Sequence, residues 1–194
     1  MKRPFNVFVT GVGGQGVVTL ANVLRHLCEQ NELRTTGSVI KGGAQRLGTV
    51  SASLRIFPSS CTTYRDYSLD IPDGSLDLMI GLEPWECLRA RHLFGVGTKV
   101  LVNRDIVPLL VARQRAIGNC HPVAQLEKLG VTLITEEFTR KAMELHGDKK
   151  MLNFEMGRSA VQLAMPTFSV EQFDERFRES TRNASDKKER SRRP

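Results

Sequence analysis

Apolar positions along this chain follow two periods, and the two alternate. Phe5, Val7, Phe8 and Val9 form a short run of strand formers, and from Gln15 onward Val17, Leu20, Ala21, Leu24 and Leu27 recur at helical spacing. Thr36–Ile40 reads as a strand. In Thr49–Phe57, Val50, Ala52, Leu54 and Ile56 alternate with Ser51, Ser53 and Arg55, the mark of a half-buried strand. Leu76–Leu82 is apolar enough for a buried parallel strand, and Lys99–Val102 and Val131–Ile134 read as further strands. Helices are predicted from Glu83-Pro84 to about Leu93, over 121–129, over 136–146 with Thr135 as N-cap, over Met151–Met165, and over Val170–Ser180 behind a Ser169 cap. Residues 58–75, with Pro58, Pro72, Asp73 and Gly74, read as loop. Strands alternating with helices predict an α/β fold, a doubly wound and mostly parallel sheet with helices on both faces.

The first strand runs into Gly11, Gly13, Gly14 and Gly16, which satisfy G-x-G-x-x-G with Gln15 inside the turn. Strand, glycine turn and helix start come in the order of a Rossmann-like phosphate site. Glycines allow positive φ and close approach to the main chain. The helix start offers unpaired N–H groups and a partial positive charge to an anion. A nicotinamide dinucleotide site also needs an acidic residue about 20 positions on. Here that stretch reads Arg34, Thr35, Thr36, Gly37, Ser38, which disfavours NAD. Either another phosphate-bearing ligand sits here, or the turn only lets helix and strand pack closely.

A second cluster reads Lys41, Gly42, Gly43, Ala44, Gln45, Arg46, Leu47, Gly48. Lys41 and Arg46 offer donors to an anion, and Arg grips one bidentately. No nucleophile or general base stands beside them, so the cluster reads as binding or docking, or as a loop with two solvated cations. If the strands are parallel, Glu83 after LDLMIGL and Asn103 after VLV fall on the same rim as the glycine turn. Glu83 is a rim group or a helix-start carboxylate; Asn103 serves the rim or ends its strand. Asn153 lies near the start of a helix and is a further rim candidate or a cap.

Composition narrows the classes. With 194 residues, 40% of them hydrophobic, residues 1–181 make one domain with a real core. No stretch approaches the roughly 18 apolar residues of a membrane span. The short apolar run after Lys2 and Arg3 leads into the glycine turn and reads as a first strand rather than a signal peptide. Cys28, Cys61, Cys87 and Cys120 are scattered, so neither a metal nor an iron–sulfur cluster is expected on this chain, and isolated thiols point to the cytoplasm. Residues 182–194 hold six Lys or Arg and two Asp or Glu, a net +4 of the whole +7, and read as a disordered basic tail. The body is then near +3 (7 minus 4), an ordinary value that does not call for nucleic acid.

GVGGQG, then GGAQRLGTVSASLRI, then GLEPWECLR and the VLVN strand end occur in an order that resembles the gamma domain of 2-oxoacid:ferredoxin oxidoreductases, above all the indolepyruvate type. The family's middle motif resembles EVHGMAQRGGSV, and residues 39–50, VIKGGAQRLGTV, share its Gly42, Ala44, Gln45, Arg46, Gly48 and Val50. MLNFEMGRSA resembles the family's asparagine-containing helix and places Asn153 and Gly157. The likeness spans roughly residues 5–165. It implies one subunit of a hetero-oligomeric, cytoplasmic oxidoreductase that decarboxylates a 2-oxoacid to acyl coenzyme A and passes electrons to ferredoxin. It implies that thiamine diphosphate and the iron–sulfur clusters lie on a larger partner subunit. It implies coenzyme A as a ligand for Gly11, Gly13, Gly14, Gln15, Gly16 and Lys41, with Gln45 and Arg46 facing the ligand or the partner. Lys41 replaces the family's His, and Leu47 replaces a Gly; a Leu there restricts φ to negative values and predicts a differently shaped loop. The other reading is a free-standing nucleotide- or coenzyme-binding module with no oxidoreductase activity.

Overall fold

One sheet takes up all seven strands. The computed structural model describes residues 3–42, 48–107, 121–165 and 167–190. Strand β1 (Phe5–Val12) lies mid-sheet, with β4 (Thr49–Phe57) antiparallel on one side and β5 (Leu76–Gly81) parallel on the other. Beyond β5 come β6 (Phe94–Asn103) and β7 (Thr132–Glu136), both parallel to their neighbours. Strands β2 (Arg34–Thr36) and β3 (Val39–Lys41) pair antiparallel with successive parts of β4. Every strand but β4 therefore runs one way. The sheet is mostly parallel, as expected, but β4 separates β1 from β2, which would be neighbours in a dinucleotide fold.

The helices split between the faces. Helix α1 (Val17–Gln30), α4 (Phe138–His146), α5 (Leu152–Ala164) and α6 (Val170–Arg190) cover one face, where Val7, Val9, Leu78, Ile80 and Leu101 meet Leu20, Leu24, Phe138, Met156 and Phe173. The other face carries α2 (Pro84–Arg89) and α3 (Pro122–Glu127), and there Met79, Val100 and Val102 pack on Cys87, Leu88 and Leu126. The strict alternation of β-strand side chains sends neighbours in β5 and β6 to opposite cores. Each fully buried aliphatic contributes about 1.5–3 kcal/mol. Gly157 brings α5, α6 and α1 together: a Cβ there would stand 2.2 Å from Phe173 Cζ and 2.8 Å from Leu20 Cδ1.

Several boundaries differ from the sequence expectations, each for a local reason. The strand expected over 36–40 is two strands, broken where Gly37 lies so close to β4 that a Cβ would come 2.1 Å from the Ser53 carbonyl oxygen. Strand β6 starts five residues before Lys99, with Gly95 and Gly97 masking its pattern and Thr98 Oγ1 donating to the Leu76 carbonyl at 2.7 Å. The helix expected to reach Leu93 ends at Arg89 and tightens into a 3-10 turn at Arg91–Leu93. Thr135 is not a cap: it pairs with Val102 inside β7, and Glu137 precedes α4. Ser169 does cap α6, in a reciprocal box with Gln172 (3.2 and 2.9 Å). That helix continues to Arg190, so the segment expected to be disordered from residue 182 is helical over 182–190. Its Arg, Glu, Lys and Ala residues are good helix formers. No described helix is long and apolar enough to cross a membrane.

Candidate functional site

Parallel pairing of β1, β5 and β6 brings their carboxyl ends to one rim, as the sequence predicted. The glycine turn follows β1, Glu83 follows β5 and Asn103 ends β6. They converge at one carbonyl: Leu82 O accepts from Gln15 Nε2 at 3.1 Å and from Asn103 Nδ2 at 3.5 Å, while Leu82 N donates to Thr10 O at 2.8 Å.

Hydrogen bonds within the protein fix the turn. Gln15 Oε1 accepts from Val12 N at 2.8 Å, Gln15 N donates to Val12 O at 3.1 Å, and Gly13 N donates to Gly48 O at 2.9 Å. Gln15, expected among the ligand-binding residues, is thus a latch between the turn and β5. Gly11 is buried, and a Cβ on it would come 2.7 Å from Gln15 Oε1. Gly14 (φ 97°) and Gly16 (φ 83°) take left-handed conformations that other residues rarely adopt. Gly16 precedes α1, which has no side-chain cap. The first-turn N–H groups of Val17, Val18 and Thr19 therefore have no partner in their own helix.

Those donors open onto a cleft of about 480 Å³ lined by Val12, Gly13, Gly14, Gly16, Thr19 and, across from them, Lys41 and Gly42 at the end of β3. Lys41 is exposed. A helix start, a glycine turn with φ > 0 and a cation around one space make a site for an anion of phosphate size or larger. Gln45 and Arg46 lie outside the described residues.

The three rim residues differ from surface polar groups in being buried and incompletely paired. Asn153 reaches from α5 to Gly16 O (3.3 Å through Nδ2), so closely that a Cβ on Gly16 would stand 2.2 Å from that nitrogen. Of the two sequence readings, rim group or local cap, the contact favours the rim: Asn153 joins α5 to the start of α1. Asn103 Nδ2 also donates to Thr139 Oγ1 in the first turn of α4 at 3.0 Å. Glu83 accepts from Glu86 N at 2.9 Å and caps α2. Burial pushes its carboxyl up to about 7; backbone N–H groups of Glu86, Trp85 and Val107 pull it back and the Glu86 charge raises it further. Among the described residues, Glu83 Oε1, Asn103 Oδ1 and Asn153 Oδ1 are all buried without a well-aligned hydrogen-bond partner, the Trp85 and Val107 N–H groups lying near Glu83 without good geometry. A buried acceptor left unpaired costs about 1–3 kcal/mol.

Two contributors have roles that the sequence does not show, although Gly48 itself belongs to the second cluster. Gly48 closes the turn through its carbonyl, and Thr139 steadies Asn103; neither role has a local pattern. Among the described residues no group of three or more His, Cys, Asp or Glu is placed to hold a metal ion. Cys28, Cys61 and Cys87 are free thiols, with Cys28 pushed up to about 12 by burial.

Comparison with known proteins now adds to this geometry. A family model described as pyruvate ferredoxin/flavodoxin oxidoreductase matches residues 6–189. The indolepyruvate oxidoreductase subunit IorB of Methanothermobacter thermautotrophicus is 30% identical over 66% of this chain and 60% of its own length. The same-named subunit of Pyrococcus horikoshii is 30% identical over 76% of this chain and 67% of its own. The matches thus span about two thirds of these relatives or less. Among solved structures, the pyruvate oxidoreductase subunit PORC of Thermotoga maritima superposes with a TM-score of 0.59 at 13% identity, covering 92% of this chain and 96% of that one. The 2-oxoglutarate:ferredoxin oxidoreductase of Magnetococcus marinus, with 2-oxoglutarate, coenzyme A and succinyl-CoA bound, gives 0.58 at 11% identity, covering 95% of this chain and 32% of that one. At such identities the likeness is one of fold.

Proposed function

Because the chain belongs to the pyruvate ferredoxin/flavodoxin oxidoreductase family, we propose that it is the small subunit of a 2-oxoacid:ferredoxin oxidoreductase of the indolepyruvate or arylpyruvate type. The assembled enzyme decarboxylates its 2-oxoacid, transfers the acyl group to coenzyme A and delivers electrons to ferredoxin. Thiamine diphosphate and the iron–sulfur clusters are assigned to a larger partner subunit, since the described residues here hold no metal-ligand group. The names of the relatives support the substrate type. Free, scattered thiols fit a reducing compartment, and the reading places the enzyme in the cytoplasm.

The observation that carries this chain's own part is the cleft between the uncapped start of α1 and Lys41. Coenzyme A supplies the thiol that accepts the acyl group, and its phosphates match the donors of this cleft. Gly13, Gly14 and Gly16 let a phosphate approach the main chain, the N–H groups of Val17, Val18 and Thr19 would donate to it, and Lys41 would neutralise part of its charge. Gln15 and Asn153 hold the turn and the helix start in place, so the donors are oriented before the ligand arrives. Gln45 and Arg46 are assigned to the same ligand or to the partner.

The test is anaerobic isolation of this chain with its partner, followed by 2-oxoacid-dependent reduction of a low-potential dye. Activity with arylpyruvates that requires coenzyme A is expected. A chain that elutes alone and is inert with every 2-oxoacid overturns the reading and leaves a free-standing coenzyme-binding module.

A further inference from the structure

Strands β2 and β3 form one interrupted edge of the sheet, and among the described residues both bond only to β4. Ser38 O accepts from Ser53 N at 2.9 Å and Gly42 N donates to Thr49 O at 2.7 Å, so the backbones of Ser38 and Gly42 turn inward. Alternation along an antiparallel strand turns Ile40 inward as well, and turns the N–H and C=O groups of Val39 and Lys41 outward. This edge also exposes aliphatic side chains: Val39 is 38% and Ile40 60% exposed. At the far edge β7 reads Thr132, Leu133, Ile134, Thr135, Glu136, and its aliphatic residues are half-buried.

Exposed Arg34 and Lys41 stand at the two ends of the β2–β3 edge. Arg34 lies over the Tyr64 ring at 6.0 Å, and no ion pair is formed by either cation among the described residues. A second copy of this strand, laid antiparallel, would set Arg34 against Lys41, cation against cation. The charge pattern selects a different, acidic occupant.

We infer that the β2–β3 edge accepts an extended segment of the partner subunit, apolar opposite Val39 and Ile40 and acidic where it passes Arg34 and Lys41. The inference rests on the subunit reading above. Main-chain bonds to Val39 and Lys41 supply affinity, and the two aliphatics with the flanking cations supply specificity. The added strand would lie beside Lys41 and Gly42, which also line the cleft, and so would brace one wall of the ligand site.

Amide hydrogen exchange on the anaerobically isolated complex and on the isolated chain tests this. The Val39 and Lys41 amides should exchange at least about tenfold more slowly in the complex, while Ile40, bonded to β4 in both, should not change. Val39→Pro removes an outward donor without touching the β4 ladder, a position where an edge strand tolerates proline. Ile40→Glu places a negative charge at an exposed position that faces the apolar part of the segment, next to its acidic residues. Either variant should keep the melting temperature of the parent and weaken partner binding about tenfold or more. A complex in which Val39 and Lys41 exchange as fast as in the free chain overturns the edge inference and leaves the subunit reading standing. So does a folded Ile40→Glu chain that binds its partner unchanged. A chain that comes out of the cell alone overturns both.

Discussion

The two ends of β1 bury polar groups in opposite ways. At its amino end Asn6 accepts from Arg55 Nε at 3.1 Å and donates to Ser75 O at 2.8 Å. Arg55, only 5% exposed, also donates to Ser68 O at 2.7 Å and lies 5.5 Å from the Tyr67 ring centroid. Ser53 Oγ accepts from Ser38 N and donates to Leu69 O, each at 2.9 Å. No buried side-chain nitrogen or oxygen of Asn6, Ser53 or Arg55 lacks a partner among the described residues, and Thr36 Oγ1, cross-strand from Arg55, is the one unpaired buried oxygen beside them. At the carboxyl end, seven residues along at Val12, the turn begins, and around it Glu83, Asn103 and Asn153 each keep one buried oxygen unpaired. A closed network fixes a structure; an open one retains the capacity to accept donors from something else. The first end is built as scaffold, and the second is the end that the proposed ligand would use.

The largest effect should fall on the scaffold. Arg55→Ala removes charge-assisted bonds and unpairs Asn6, and should cost about 3 kcal/mol of stability in urea unfolding with little change in activity per folded molecule. A loss below about 1 kcal/mol would break the contrast. Gly16→Ala comes next. The left-handed φ costs about 1–2 kcal/mol and the new methyl meets Asn153. Adding Asn153→Ala should restore only the clash part, as a double-mutant cycle would measure, and coenzyme A affinity should stay low in both because the α1 start has moved.

Glu83→Gln sharpens the comparison by pH. The folded carboxyl, at about 7, stands above its ordinary unfolded value of about 4.3. A raised carboxyl favours the fold when protonated, so its contribution is full below about pH 4 and is lost as pH rises through about 7. Gln can still accept from Glu86 N but cannot ionise. The variant should be more stable than the parent above pH 7, by about 1–2 kcal/mol, with a flatter stability profile between about pH 4 and 7. Thermal unfolding across that range checks it. The smallest effect belongs to neither end. Arg140, 69% exposed and 2.7 Å from Glu137, should change stability by no more than about 0.5 kcal/mol when replaced by Ala, and serves as the baseline.

How far the sequence carried depended on whether the information was local. The strand–turn–helix at Phe5–Leu27, the alternation in Thr49–Phe57 and the Ser169 cap were all legible, because each is decided within one element. The insertion of β4 between β1 and β2 was not, since no residue in 49–57 states its neighbours. Ser51, Ser53 and Arg55 looked like a solvent face and are buried. For Ser53 and Arg55, carbonyls of the 58–75 segment supply the hydrogen bonds that make burial tolerable. At the rim the residue types could be named, yet their geometry could not. Gln15 reads as a ligand contact and serves as a latch, and Asn153 reads as a rim group or a cap without any sign that it steadies α1. Both act across long separations in sequence.

The position of β1 also sets a timetable for synthesis. Its partners are β4, which ends at Phe57, and β5, which ends at Gly81. At a translation rate of about 5–20 residues per second, the ribosome needs roughly 4–15 seconds to pass from Phe5 to Gly81. During that interval the nascent strand can gain α1 and, once Phe57 has been added, β4, while its β5 edge stays open until Gly81. The glycine turn cannot close before Gly48 has been added and cannot be latched before Leu82 has. A strand placed at the centre of the finished sheet is thus the one that waits longest for its neighbours, and its β5 edge is exposed over that window.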